Sequence, residues 1–276
     1  KNKYGKFNYN KNNFNICSYQ SKNREENTYK SILYAYKECR LNNFIGLITL
    51  PLRKDLIIKK IDKNFIGHTE LLEKLDNKKY SNMLLIHKKI KISVLTTHIN
   101  LNSISNNLRK KNFIYNKILT LNNTLIKDFN IKFPRILLSG LNPHAGESGE
   151  IGREELKIIK PEVVKARRNN INILGPVSAD SMLTKSNLNK FDCFLFVYHD
   201  QGLIPFKFIS QFNGINYTGN LDIIRTSPDH GTAYNLIDTK HASNKSLLNN
   251  FKMIRTIYKN KKQYENSKKI TKSKFH

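Results

Sequence analysis

Short apolar runs rich in β-branched residues recur along this chain, separated by longer stretches with helical spacing. FIGLITLP (44–51), NMLLIH (82–87), KISVLTTH (91–98), RILLSG (135–140), NINIL (170–174) and FDCFLFVYH (191–199) each have the length and composition of a buried strand. NMLLIH and KISVLTTH are close enough to pair as a hairpin. Residues 27–42 place Tyr29, Ile32, Leu33, Ala35 and Tyr36 on one helical face. Residues 101–129 read as one or two helices, and 154–170 as a helix that Pro161 can kink. GINYTGNLDIIRTS (214–227) reads as one extended segment, with GTAYNLID and LLNNFKMIRTIYK as closing helices. Strands alternating with helices predict an α/β fold with a largely parallel sheet, flanking helices and room for an antiparallel excursion.

Length and composition narrow this picture. The 276 residues, 39% of them hydrophobic, suffice for one large α/β unit. The reading is a single unit over 1–258, two interleaved subdomains around a cleft, followed by a basic, solvated tail over 259–276. Residues 1–25 are polar and nearly patternless. No window approaches the roughly 18 consecutive apolar residues of a membrane span, and no signal peptide opens the chain. Three cysteines, Cys17, Cys39 and Cys193, show no CxxC spacing. This speaks against a disulfide framework and for the reducing cytoplasm. The formal charge of +27 would suit nucleic acid, but the lysines are dispersed among asparagines and no nucleic-acid-binding motif is present. It reads as compositional bias that also attracts anionic small molecules.

The chemistry is concentrated at strand ends. His98 (VLTTHINL), His144 (SGLNPHAGESGEIG) and His199 (FLFVYHDQGLIPFK) each follow an apolar run, where open α/β sheets bind ligands. Taken singly, His144 also fits a surface histidine and His98 a satisfied core one. Three at equivalent topological places suit a catalytic divalent metal with open positions. Asp200, beside His199, could orient a metal-bound imidazole. In GHTE (67–70), Thr69 fits a helix N-cap, and His68 with Thr69 could donate to an anion. Arg225 ends an apolar run ahead of the DHGTA turn, and its fork suits a carboxylate or phosphate. Neither GxGxxG nor a Walker A sequence occurs, so a dinucleotide would need another mode of binding.

These motifs, GHTE, TTH, LSGLNPHAGESGEIGREE, GPVSAD, YHDQG, the Lys207–Asn216–Arg225 series and RTSPDHGTA, follow one another in an order that resembles the 4-hydroxythreonine-4-phosphate dehydrogenase family of pyridoxal phosphate biosynthesis, over about residues 44–256. The resemblance implies an isocitrate/isopropylmalate dehydrogenase-like fold and a homodimer with its active site at the interface. It implies His98, His144 and His199 as ligands of a divalent metal (Zn, Mg or Co), and His68, Thr69, Lys207, Asn216 and Arg225 as contacts to a phosphorylated substrate. It implies, further, NAD (or NADP) held by His230, Gly231, Thr232 and Ala233. The general base stays unassigned, with Lys54 as a candidate. An erythronate or threonate 4-phosphate dehydrogenase, or a decayed basic relative that binds nucleic acid, are the other readings. The family's opening strand and Gly/Pro-rich loop have no counterpart here, so an N-terminally incomplete unit is expected. Leu50 and Asp55 stand where the family usually has glycine.

Overall fold

The computed structural model describes residues 23–236 and 243–273. The expectations for Cys17, for residues 1–22 and for the end of GTAYNLID lie outside them.

Helix α1 (Arg24–Arg40) leads to β1 (Leu47–Ile48), α2 (Lys54–Lys60) and α3 (His68–Leu75). The hairpin β2 (Asn82–His87) and β3 (Ile90–Val94) follows, then α4 (Ile104–Leu108) and α5 (Phe113–Phe129). Strand β4 (Ile136–Ser139), α6 (Lys160–Arg168), β5 (Ile173–Val177), α7 (Lys185–Lys190) and β6 (Cys193–Phe196) make up the α/β repeat. The chain then runs through α8 (His199–Ser210), β7 (Ile215–Gly219), β8 (Arg225–Pro228) and α9 (Lys245–Ser273).

The strands form one sheet in the order β1-β8-β7-β2-β3-β6-β4-β5. Four of its seven pairings are parallel and three, around β7 and β2, are antiparallel. Both faces are covered. Leu84, Ile86, Ile136, Leu138, Cys193 and Leu195 point to one core, which α5, α6 and α9 close. The residues that alternate with them, Met83, Leu85, Leu137, Phe194 and Phe196, point to a second core beneath α8. Burial on both faces is why these strands read as continuous apolar runs rather than as alternating ones. A third cluster joins α1, α2 and α3 through Ile32, Ile57, Phe65 and Leu72.

Several sequence expectations change. The segment 214–227 is an antiparallel hairpin, β7 with β8, whose connection over residues 220–224 starts at Asn220 with φ 68°. The run 44–51 contributes only two strand residues. The apolar run 191–199 leaves the sheet at Phe196, so His199 opens α8 rather than ending a strand. Gly202 lies inside α8 and lets the helix pack closely on Val94 of β3. Helix α9 runs past Lys259, where a frayed or solvated tail was expected, and stays helical to Ser273, although residues 262–270 are mostly exposed. Lys261 in it is buried and its Nζ donates to the Leu221 carbonyl. Asn260 donates to the Asp128 carbonyl. These tertiary bonds, invisible in a lysine-rich stretch, hold the helix on the domain. Cys39 and Cys193 are free and buried, and burial pushes their thiols up to about 11 and about 12, leaving them protonated and inert.

Candidate active site

Parallel pairing brings the histidine loops to one rim. Strands β3 and β6 are in register at Val94 and Phe196, and the ladder continues past them through Leu95 N–H to the Phe196 carbonyl and Thr96 N–H to the Val197 carbonyl. His98 and His199 therefore emerge side by side, their ring centroids 5.8 Å apart. Each donates Nδ1–H to a carboxylate: His98 to Glu70 Oε1 at 2.8 Å, His199 to Asp200 Oδ1 at 2.6 Å. An ionised carboxylate only accepts, so in the neutral rings this contact leaves the lone pair on Nε2. This is how metal-binding imidazoles are oriented, and the donor set suits zinc or cobalt, with magnesium the harder match.

His144 arrives differently. Strand β4 pairs with β6 and ends at Ser139, and the next loop carries His144. Five consecutive residues, 144–148, have positive φ, a left-handed turn that is costly for side chains bearing Cβ. Glu155 holds it in place. Its buried carboxylate accepts the Leu141 and Asn142 N–H groups, both at 2.8 Å, and the Asn142 amide at 3.0 Å. Gly146 is required there, since at φ 78° a Cβ would lie 2.6 Å from Glu155 Oε2. The turn leaves His144 exposed. Among the described residues no three histidine, cysteine or acidic side chains are gathered as a metal cage, so two of the three imidazoles meet within this chain and His144 is not grouped with them.

Gln201 ties the two loops together. Its Oε1 accepts from Ser139 Oγ and from Val197 N–H, and its Nε2 donates to the Gly140 carbonyl. The residue that follows YHD thus locks the start of α8 to the start of the His144 loop.

A cleft beside His98 collects His68, Thr69, Asn216, Arg225 and His230 together with Lys54. Arg225 dominates it. The side chain is buried, and its fork is held by hydroxyls alone: Nε and Nη2 donate to Thr49 Oγ1 at 3.0 and 2.6 Å, and Nη1 to Thr218 Oγ1 at 3.0 Å and Thr69 Oγ1 at 3.4 Å. Among the described residues no carboxylate pairs with it. Burial pulls its pKa down to about 10, with the charge of Glu70 opposing, so it stays protonated at neutral pH. A buried cation on neutral partners attracts an anion strongly. Asn216 adds a buried Oδ1 that has no partner among the described residues.

Thr69 is not the helix cap; Gly67 occupies that position. Thr69 instead lies in the first turn of α3, which directs its hydroxyl to Arg225. His68 beside it is driven to a pKa of about 3, first by burial, then by the charges of Arg225 and Lys54. It is therefore a neutral hydrogen-bonding group at working pH. The folded value lies below the unfolded 6.5, so the fold binds fewer protons and loses stability as pH falls below 6.5. Lowering pH from 7 to 5 should cost about 2 kcal/mol through this residue. Denaturant titrations of the parent and of His68→Gln at both pH values check this; identical pH dependence in the two would refute it.

Several expected site residues do not line the cleft. Lys207, in the last turn of α8, donates to the Asp229 carbonyl and lies 4.7 Å above the Phe212 ring, and is not among the residues lining the cleft. Of the His230–Ala233 run, His230 lines the cleft while Gly231 and Thr232 are exposed, with open space around Gly231. Sequence reading also missed residues. Glu70, Gln201 and Glu155 act on partners up to 62 positions away, and only their place inside the GHTE, YHDQG and GREE strings hinted at them.

The family model of the pyridoxal phosphate biosynthetic protein PdxA matches residues 4–254. This chain belongs to the PdxA family. The match begins some way before residue 44, where the motifs first carried the resemblance. Among relatives, the 4-hydroxythreonine-4-phosphate dehydrogenase of Aquifex aeolicus (strain VF5) is 39% identical over 215 residues, 78% of this chain and 66% of its own length. That of Wigglesworthia glossinidia brevipalpis is 41% identical over 209 residues, 76% of this chain and 62% of its own. The chain thus spans 62% to 66% of the length of these two PdxA relatives. The crystal structure of the Klebsiella pneumoniae 4-hydroxythreonine-4-phosphate dehydrogenase superposes with a TM-score of 0.75 at 31% identity, covering 85% of this chain and 70% of that one. The PdxA fold is thereby that of this chain, the isocitrate/isopropylmalate dehydrogenase-like architecture. No helix among the described residues is long and apolar enough to cross a membrane.

Proposed function

We propose that this chain oxidises 4-phosphooxy-threonine, a phosphorylated β-hydroxy amino acid, with NAD as hydride acceptor and a divalent metal, in pyridoxal phosphate biosynthesis. The observation that carries the reading is the buried, carboxylate-free Arg225 in a cleft shared with His98, in a chain whose relatives carry that activity.

In this reading Arg225, with Thr69 and His68, takes an anionic group of the substrate. Its fork is already ordered by Thr49 and Thr218, so little entropy is lost when the anion arrives. His68, neutral, adds a directional hydrogen bond without a competing charge. Asn216 presents its amide beside it. Lys207 serves the anion only after leaving the Asp229 carbonyl. His98 and His199 hold the metal through Nε2, and His144 reaches it from a second copy of the chain in a homodimer. The exposed Ile204 and Phe208, one turn apart on the helix that His199 opens, are an apolar surface for that second copy beside the site. The bound metal would favour ionisation of the substrate hydroxyl, and NAD would accept the hydride, after which the β-keto acid can lose carbon dioxide. The open backbone at Gly231 and Thr232, next to His230 at the cleft, is where the dinucleotide would lie.

The test is direct. The chain, mixed with 4-phosphooxy-threonine, NAD and zinc, cobalt or magnesium, is expected to produce NADH, and erythronate 4-phosphate should compete weakly. No NADH from folded, metal-loaded protein, with the Klebsiella pneumoniae enzyme active in the same assay, would sink the proposal.

A further inference from the structure

We infer that Glu70 is the positioning residue that sets the tautomer and direction of His98, and that it joins the anion subsite to the metal-binding imidazoles. The inference rests on the proposed metal reading of His98 and His199.

Glu70 follows His68 and Thr69 in the first turn of α3. Thr69 turns to Arg225 and Glu70 turns to His98, so one helical turn serves both halves of the site. The contact is 28 residues apart in sequence and 2.8 Å long. It is also the better shielded of the two carboxylate–imidazole contacts. The Glu70 side chain is 24% exposed, whereas that of Asp200, on His199, is 69% exposed. Gly67 makes room for it: a Cβ there would stand 2.9 Å from Glu70 Oε2 and 3.3 Å from Lys54 Nζ. Glu70 Oε2 is buried with no hydrogen-bond partner among the described residues. Among the described residues, the side-chain hydrogen bond that the Glu70 carboxylate makes is thus the one to His98. Its effect is to keep the proton on Nδ1 and the lone pair on Nε2 of a ring whose centroid lies 5.8 Å from that of His199.

Metal affinity separates this role from a structural one. Chelator competition on the full chain would compare the parent with Glu70→Ala, Glu70→Gln and His98→Ala, and imidazole nitrogen NMR would read the His98 tautomer in metal-free protein. Glu70→Ala should bind metal about 10- to 100-fold more weakly and lose the single Nδ1–H tautomer. Glu70→Gln, which keeps an acceptor and nearly the same shape, should restore the tautomer and much of the affinity. If Glu70→Ala does not fold, Glu70→Gln decides: affinity below the parent, with or without a shifted tautomer, supports the inference, and parental tautomer with parental affinity overturns it. Glu70 variants that hold metal as the parent does, while His98→Ala abolishes uptake, overturn the inference and leave the metal reading intact. Retained metal in His98→Ala overturns both.

Discussion

Replacing Arg225 with methionine is expected to abolish binding of the phosphorylated substrate while leaving the ligand-free protein as stable as the parent, or more so. The two effects share one cause. Among the described residues the buried guanidinium hydrogen-bonds only to the hydroxyls of Thr49, Thr69 and Thr218, with the Glu70 charge near but unpaired, so the folded protein bears a poorly compensated charge that methionine of similar length would remove. Replacement of buried ionic groups by packed apolar ones is commonly neutral or stabilising. In the complex the balance reverses, because each charge-assisted bond to the anion contributes about 1.5–3 kcal/mol. Losing two such bonds corresponds to a roughly 10²- to 10⁴-fold weaker complex. Arg225→Lys keeps the charge but not the planar fork, and should fall between the two. Calorimetric titration with substrate, alongside thermal melts without it, measures both halves. A large loss of stability with unchanged substrate affinity would make Arg225 a structural residue.

His199→Ala should remove stoichiometric metal and leave folding cooperative. His199 is the first residue of α8, its side chain is about a third exposed, and among the described residues its polar contact is with Asp200. Nothing in either core depends on it, so the stability change should stay within about 0.5 kcal/mol. Metal content after dialysis and a denaturant melt test this together. Retained stoichiometric metal would refute the ligand assignment. A lost metal with an unfolded protein would show that His199 carries packing that the structure does not assign to it.

The strands were legible in sequence because their interiors are apolar on both faces. Leu84 and Leu85, or Leu195 and Phe196, face opposite cores yet are equally buried. The same property blurred their ends. Val197 is buried and apolar and its carbonyl still accepts from Thr96 N–H although the strand proper ends at Phe196, so FDCFLFVYH read as strand through to His199, where α8 begins. The hairpin at Asn220 was hidden for a related reason: INYTG and IIRTS are both apolar enough to read as one extended run, and the connection over residues 220–224 starts at a single asparagine at positive φ. The lysine-rich end of α9 gave no sign of helix docking, because Asn260 and Lys261 bond to carbonyls about 40 or more residues distant.

The amino-acid sequence by itself determined the fold class, the rim on which the histidines lie and, through ordered motifs, the family. Those properties are set by local patterning and by residue strings, both of which are written along one dimension. The tertiary structure decided which of those residues act together. His98 meets His199 because β3 and β6 are parallel neighbours, although about 100 positions separate them. Thr49 and Thr218 converge on Arg225 because β1 and β7 flank β8, and Glu70 reaches His98 because α3 packs beside that loop. His144 and Lys207 carry the same kind of motif signal as the others and are placed elsewhere, one by a left-handed turn fixed on Glu155, one by the Asp229 carbonyl. Convergence of side chains depends on how the chain crosses over between strands, and that is a long-range property that no local pattern encodes.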